Sequence, residues 1–249
     1  MVTPIMEFKN VSAIHSALRR NRLFIKAFYS PGFYSTNKSV ILQSVGANTL
    51  RAFKNDSDRK IKYISTPSSI YRTWADSVFF KKYYPTLLKV TDQSSFTRLH
   101  KSAVYDLSAY WKGEQKCTRT LDIAYACKLV DLLFKFIPLC KELDISQRSR
   151  IMNFIHCPLD SYTLKAIRHI WNKEQKPNSK FHIPRNAGMG LVENNYAFYI
   201  RLQDFIKDTM QAMNSSSIQF DLISYRKSEE SENSFTLEPA KVKNKGDLT

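Results

Sequence analysis

The stretch Phe154-Ile155-His156-Cys157-Pro158-Leu159-Asp160-Ser161-Tyr162-Thr163-Leu164-Lys165-Ala166-Ile167-Arg168 predicts one helix, a tight turn and a second helix. Pro158 lacks a backbone N–H and disfavours helical geometry at the preceding residue, so the first helix ends there. Asp160 is a residue type preferred at the N-cap of a helix. Leu164 and Ile167 then recur at helical spacing, while basic side chains take the other faces. The stretch therefore predicts a single carboxylate at the start of a basic helix.

Residues 158–164 resemble the catalytic segment of helix-hairpin-helix DNA glycosylases, in which a Pro-hydrophobic-Asp turn precedes an aliphatic and aromatic helix. The resemblance covers the fifteen residues quoted above, with weaker support from the apolar helix predicted over residues 124–133. It implies a mainly α fold of the helix-hairpin-helix type with at most a few short strands. It also implies that Asp160 is the catalytic carboxylate. Divergent anti-phage members of this superfamily remove modified bases from invading DNA, which is the activity expected here.

Two features differ from the usual family pattern. No Leu-Pro-Gly-x-Gly hairpin precedes Asp160, and Phe-Ile-Pro-Leu-Cys-Lys stands at residues 136–141 instead. Lys128 is a candidate for the active-site amine of the lyase-type members. It lies 32 residues before Asp160, which is more than their usual spacing. The alternative is that Lys128 is a surface lysine whose stem packs on the apolar helix.

Cleavage of the bond between sugar and base passes through a cationic transition state, as in other glycoside hydrolysis. A fixed carboxylate stabilises that charge and can orient the attacking water. The target base must also leave the stack while basic and aromatic side chains grip the DNA backbone. The sequence offers six candidates for these DNA contacts: Arg148, Arg150, Tyr162, Lys165, Arg168 and Arg185. If Asp160 proves to be only a cap, Asp122 and Asp131 are the next candidate carboxylates.

The charge of the chain indicates a polyanionic partner. The 249 residues carry a formal net charge of +16, and residues 1–65, with 11 basic and 3 acidic side chains, account for +8 of it. An excess of this size favours nucleic acid, here double-stranded DNA. No long apolar span, signal peptide or strongly amphipathic terminal helix points to a membrane. We therefore expect a cytoplasmic monomer.

The cysteines and histidines predict no metal or cofactor. The four cysteines include no Cys-x-x-Cys pair, and no two histidines have zinc-finger spacing. Most of the cysteines fall on apolar helix faces, which favours buried free thiols.

Two other functions stay open at this stage. Arg150 and His156 are separated by five residues, as in the arginine-histidine signature of helical ribonucleases of bacterial defence. A non-catalytic DNA-binding module would explain the charge equally well.

The chain divides into three predicted parts. Residues 1–115 form an N-terminal helical region, and residues 116–225 form the catalytic region. Residues 226–249 are polar, with five basic and five acidic side chains, and are predicted to be a disordered tail. A long aromatic-rich helix is predicted over residues 67–90, where Pro85 must kink or end it. Short extended segments are predicted at residues 60–65 and 218–225.

Overall fold

The computed structural model describes residues 28–50, 65–114, 121–174, 188–192 and 195–229, together with positions 18, 19, 22, 26 and 183. Most of these residues are helical, which confirms the prediction of a mainly α protein. Within these ranges the backbone forms no β-strand, and its β-type pairing is an isolated parallel bridge between Ser35 and Cys140.

The α-helices of the described ranges are numbered in chain order. They are α1 (Asn37–Ser44), α2 (Ala47–Leu50), α3 (Pro67–Trp74), α4 (Tyr84–Leu87), α5 (Gln93–Gly113), α6 (Ile123–Phe136), α7 (Ile145–Phe154), α8 (Ser161–Glu174), α9 (Tyr196–Gln211) and α10 (Ser217–Glu229). A π-helix, Ala75–Tyr83, connects α3 to α4. Short 3₁₀ turns occur at Pro31–Phe33, Ile137–Leu139 and Met189–Leu191.

Side-chain caps explain where many of these helices begin. Asp144 starts α7 with a reciprocal capping box, in which its carboxylate accepts the Gln147 N–H and the Gln147 side chain accepts the Asp144 N–H. Such caps satisfy backbone donors that have no partner inside the helix. Other capping side chains that accept an N–H from the first turn are Thr36, Thr66, Asp92, Asp122 and Asn195.

The apolar helix α6 lies at the centre of the hydrophobic core, as its sequence predicts. It packs against α1, α5 and α9, and its buried side chains include Leu129, Leu133 and Phe134. The C-terminal helix α10 packs against α8 and α9. Buried residues of the same apolar cluster come from both sides of residue 115, from Val40 to Leu222.

A π-helix interrupts the long helix predicted over residues 67–90. The Tyr84 N–H bonds to the carbonyl of Phe79, five residues earlier. Pro85 follows, and because its ring clashes with the carbonyl four residues back in an α-helix, a wider turn before it is expected. Trp74 and Tyr83, at the two ends of the π-helix, both donate to the Asp106 carboxylate on α5, at 3.1 and 2.9 Å.

The extended segment predicted at residues 218–225 is wrong, because this segment belongs to α10. Its alternating apolar residues Ile218, Phe220 and Leu222 are all buried. A helix packed on more than one side buries such neighbours together, so its apolar positions do not repeat every 3.6 residues. The helix also extends to Glu229, past the start of the predicted tail at residue 226. Residues 230–249 and all but the last residue of the strand predicted at 60–65 lie outside the described residues.

Three cysteines, Cys127, Cys140 and Cys157, are buried free thiols, as predicted, and Cys117 lies outside the described residues. Burial raises the pKa of Cys140 to about 12, so this thiol is protonated and unreactive at neutral pH. None of the described helices has both the length and the apolar character needed to cross a membrane.

Candidate functional site

The Asp160 turn, residues 155–160, links the end of α7 to the start of α8. One carboxylate oxygen of Asp160 accepts the backbone N–H groups of Tyr162 and Thr163 at 2.9 and 3.0 Å. In return, the Asp160 N–H donates to the Thr163 hydroxyl at 2.6 Å. The structure thus confirms Asp160 as the N-cap of α8. The half-buried carboxylate lies at the positive end of the helix dipole, where negative charge is stabilised.

The backbone of the Asp160 turn is held from behind by Gln203 on α9. The Gln203 side chain accepts the Cys157 N–H at 2.9 Å and donates to the Cys157 carbonyl at 2.8 Å. Cys157, Pro158 and Leu159 are all buried. The turn has no regular secondary structure, so these two hydrogen bonds satisfy backbone groups that would otherwise be buried without partners.

A buried ion pair lies close to the turn. The Lys135 ammonium and the Asp221 carboxylate are 2.6 Å apart, and the exposed fractions of their side chains are 14% and 12%. Burial raises the pKa of Asp221, and the contact with Lys135 opposes that rise. The charge of Asp160 also raises the pKa of Asp221, whereas the charge of Lys128 lowers it. Lys128 and Asp160 therefore both lie within electrostatic range of Asp221.

The predicted DNA-contacting residues of α8 form one stripe along the helix. Tyr162, Lys165 and Arg168 follow one another at a spacing of three residues, which brings them onto neighbouring positions of the helix surface. The Tyr162 side chain has an exposed fraction of 44%, Lys165 is exposed and Arg168 is half-buried. The stripe begins two residues after the Asp160 carboxylate.

Arg148 and Arg150 both donate hydrogen bonds to backbone carbonyls of the protein itself. The buried Arg148 guanidinium donates to the carbonyls of Pro138 and Leu143, the latter at 2.7 Å, and stacks on the Tyr34 ring at 3.5 Å. Arg150 donates to the Leu88 carbonyl at 2.6 Å. Both guanidinium groups thus hold backbone segments within the fold, and their contact with DNA stays a prediction. Arg185 lies outside the described residues.

A buried polar cluster lies behind the Asp160 turn. We call it the histidine cluster: His100 on α5, Asp131 on α6, His156 in the turn, and Tyr196 and Tyr199 on α9. His100 and Asp131 are fully buried, and His156 has an exposed fraction of 5%. The ring of Phe96 packs edge-on against His156 at 5.0 Å between centroids, and Phe134 packs on His100 at 5.9 Å. The cluster is therefore a set of titratable groups enclosed by aromatic side chains.

The hydrogen bonds of the cluster imply one arrangement of protons. The Tyr196 hydroxyl donates to the Thr97 carbonyl at 3.3 Å, so it accepts from His100 Nδ1 at 2.8 Å. His100 Nε2 is then an acceptor, 2.9 Å from Asp131 Oδ1, and the shared proton belongs to the carboxyl. Burial raises the pKa of Asp131 well above its usual value and lowers the pKa of His100 to about 3, which favours this neutral pair.

Tyr199 connects the two histidines through Asp131. Its hydroxyl lies 2.8 Å from Asp131 Oδ2, 3.0 Å from His156 Nδ1 and 3.4 Å from His100 Nε2. A phenol has one proton, so it donates to the carboxyl and accepts from His156 Nδ1. Burial lowers the pKa of His156 well below its usual value, and the neighbouring His100 adds to the effect. His156 is therefore neutral.

These contacts bear on the remaining candidates from the sequence. His156 is buried and Arg150 bonds to a backbone carbonyl, so the two do not form an exposed arginine-histidine pair. Asp122 caps α6 by accepting the Ala124 N–H at 2.8 Å. Asp131 lies inside the histidine cluster. In the sequence, the sign of this cluster was Asp131, a carboxylate within the most apolar helix. The residues near His100 and Tyr199 gave no such indication.

Three side chains of the histidine cluster could hold a metal ion. His100, Asp131 and His156 each offer one ligand atom, and these atoms lie within 4.8 Å of one another. The sequence separations of 31 and 25 residues match no metal-binding motif, so sequence reasoning missed this set.

Comparison of the chain with protein-family models gives no match, and neither the curated proteins nor the solved structures show significant similarity to it.

Proposed function

We propose that the protein is a DNA glycosylase that hydrolyses the bond between a modified base and its sugar, with Asp160 as the catalytic carboxylate. The observation that carries the proposal is the position of Asp160 at the start of α8. Its carboxylate is half-buried and fixed by two backbone N–H groups, and the exposed side chains of Tyr162 and Lys165 follow it directly. The resemblance of residues 158–164 to the catalytic segment of helix-hairpin-helix glycosylases supports the same function.

The geometry suits this chemistry because one carboxylate oxygen caps the helix, whereas the other accepts no hydrogen bond from the residues that the structure describes. Both N–H groups of the cap bind Asp160 Oδ1. Oδ2 would face the sugar, offset the positive charge of the transition state and orient the attacking water. Because the cap and the Gln203 contacts fix the turn, little reorganisation would be needed when substrate arrives.

In this proposal, the stripe on α8 grips the DNA backbone. Lys165 and Arg168 would neutralise phosphates, and Tyr162 would stack on a base or contact a phosphate. Arg185 remains a proposed contact. Lys128 remains the proposed amine for any lyase step.

The arginine-histidine ribonuclease is less favoured because His156 is buried and neutral. A DNA-binding protein without catalysis remains the main alternative. It would need the charge of α8 but not the Asp160 carboxylate.

The decisive experiment uses Asp160→Asn. DNA duplexes that each contain a different modified base are incubated with the protein, free base is measured by mass spectrometry, and abasic sites are detected by alkaline cleavage. Because Asn also caps helices well, the free energy of unfolding should change by less than about 1 kcal/mol. Loss of the negative charge should lower the rate of base release by about 100-fold or more. DNA binding should persist.

Asp144→Asn is the matched control, since Asp144 caps α7 in the same manner. It should release base at the wild-type rate. Base release by Asp160→Asn at a near-native rate would show that Asp160 is only a cap. If wild-type protein binds DNA but releases no base from any duplex, the non-catalytic alternative is correct. Cleavage of RNA that is lost in His156→Ala but kept in Asp160→Asn would support the ribonuclease.

A further inference from the structure

The histidine cluster brings four potential ligand atoms to one buried point. The Tyr199 hydroxyl oxygen lies 2.9 Å from Asp131 Oδ1, 3.0 Å from His156 Nδ1 and 3.4 Å from His100 Nε2. Asp131 Oδ1 and His100 Nε2 are themselves 2.9 Å apart. We propose that these four side chains bind one divalent transition-metal ion of the zinc type, as a closed structural site.

Four of the six separations between the ligand atoms are close to those of four-coordinate geometry. Nitrogen and oxygen ligands bind Zn²⁺ at about 2.0–2.1 Å in a tetrahedron, so neighbouring ligand atoms lie about 3.3 Å apart. The four separations given above fall between 2.9 and 3.4 Å. The ring nitrogens and the carboxylate oxygen all lie within 4.8 Å of one another. In the four contacts with the distances given above, shifts of a few tenths of an ångström would reach the separations of a tetrahedral site.

The donor set favours a borderline metal. Two imidazoles, a carboxylate and a phenol suit Zn²⁺ and its neighbours in the first transition row, whereas Mg²⁺ and Ca²⁺ prefer oxygen ligands throughout. On binding, Asp131 and Tyr199 would each release a proton to water, and the His156 proton would move from Nδ1 to Nε2, which leaves the Nδ1 lone pair for the ion. The resulting carboxylate and phenolate would offset both positive charges of the ion, as a site without solvent requires.

The surroundings resemble the outer shell of a metal site. His100 uses Nε2 toward the cluster, while its Nδ1 bonds to the Tyr196 hydroxyl at 2.8 Å. Tyr196 in turn bonds to the Thr97 carbonyl. Metal-binding histidines typically donate their second nitrogen to such a partner, which fixes the ring orientation. An ion here would tie α5, α6 and α9 to His156, and thereby to the Asp160 turn.

The first test measures metal directly in untagged wild-type protein. After dialysis, elemental analysis should find one zinc-type ion per chain. Chelator-treated protein should bind Co²⁺ with the visible absorption of a tetrahedral site, and Zn²⁺ should raise its Tm by more than about 5 °C. No bound metal after dialysis, together with an unchanged Tm in Zn²⁺, Co²⁺, Fe²⁺ and Mn²⁺, would overturn the proposal.

The second test separates a metal site from a set of hydrogen bonds. In Asp131→Asn the amide has the shape of the neutral carboxylic acid and can donate to His100 Nε2. If hydrogen bonds alone hold the cluster, this variant keeps the wild-type Tm with and without metal, and the proposal fails. If a metal is bound, the variant should lose more than about tenfold in Zn²⁺ affinity, and the Zn²⁺-dependent rise in Tm should disappear.

Asp122→Asn is the matched control because Asp122 lies on the same helix and only caps it. It should bind Zn²⁺ as the wild type does. If Asp131→Asn does not fold, the wild-type measurements still decide the question. The inference does not depend on the proposed glycosylase activity, because metal content and Tm are measured without DNA.

Discussion

At the scale of single residues, Gln203 has the most direct influence on the Asp160 turn. Gln203→Leu keeps most of the side-chain volume but leaves the Cys157 N–H and carbonyl without partners. Each unpaired buried group costs about 1–3 kcal/mol, so the free energy of unfolding should fall by about 2–6 kcal/mol. Urea unfolding measures this loss, and hydrogen exchange at the Cys157 amide should accelerate.

The exposed Gln211 at the end of the same helix provides the control. Gln211→Leu should leave both quantities near their wild-type values. Equal stability of the two variants would mean that the Gln203 contacts do not hold the turn.

The interactions that could be predicted were those between residues near one another in sequence. The capping role of Asp160 depends on Tyr162 and Thr163, which adjoin it, so the sequence contains the whole interaction. The role of Arg148 depends on the irregular segment that supplies the carbonyls of Pro138 and Leu143, and on Tyr34, which is distant in sequence. The sequence pattern of a basic residue on a predicted helix is the same whether its side chain faces DNA or a buried carbonyl. The packing of the folded protein distinguishes the two cases.

At the scale of elements, Asp106 joins α5 to the π-helix. Its carboxylate accepts hydrogen bonds from Trp74, Tyr83 and Lys82. Burial alone would raise the pKa of Asp106, but these donors outweigh it and hold the pKa below its usual value. Asp106→Asn should lower the free energy of unfolding by about 1–3 kcal/mol at neutral pH, mainly through the bonds to Trp74 and Tyr83.

The sign of the pH dependence follows from the lowered pKa. Stabilisation by the carboxylate is fully present above the unfolded-state pKa of about 4 and is lost as the pH falls through the lower folded-state value. The difference between wild type and Asp106→Asn should therefore shrink in acid below about pH 4, as measured by urea unfolding. Lys82→Met should have little effect at any pH because Lys82 is exposed. If the difference in stability between wild type and Asp106→Asn grew in acid, this explanation would be wrong.

The sequence predicted a mainly α protein but not how α10 and the π-helix form. Capping residues such as Asp92 and Asp144 fix helix starts through neighbours in the chain. By contrast, residues 218–225 are helical because α8 and α9 bury them on several sides, and that environment is not encoded locally. The histidine cluster was missed for the same reason, since His100 contacts Tyr196 and Asp131 only in the folded protein.

At the scale of the whole molecule, the net charge of +16 leads to a prediction about salt. Each neutralised phosphate releases counterions, so DNA affinity should fall by more than about 100-fold between about 50 and 200 mM salt. Fluorescence anisotropy with a labelled duplex measures this. Lys165→Ala should reduce the slope of log K against log salt by about 1, because it removes one proposed phosphate contact.

Lys89→Ala, which removes an exposed lysine outside α8, serves as the control and should leave the slope unchanged. DNA binding that does not depend on salt, or no DNA binding at low salt, would contradict the proposal of a nucleic-acid partner. The net charge can be counted from the sequence alone, whereas the distribution of the charged side chains over the surface depends on the fold.

The π-helix has a consequence for changes in chain length. Tyr83 lies nine positions after Trp74 in the sequence. In an α-helix with 3.6 residues per turn, nine residues make two and a half turns and would put the two rings on opposite sides. The wider π turn, with about 4.4 residues, makes nine residues close to two full turns, so both rings reach Asp106. Substitutions at the exposed positions between them should be tolerated, but inserting or deleting a single residue would rotate one ring away from α5.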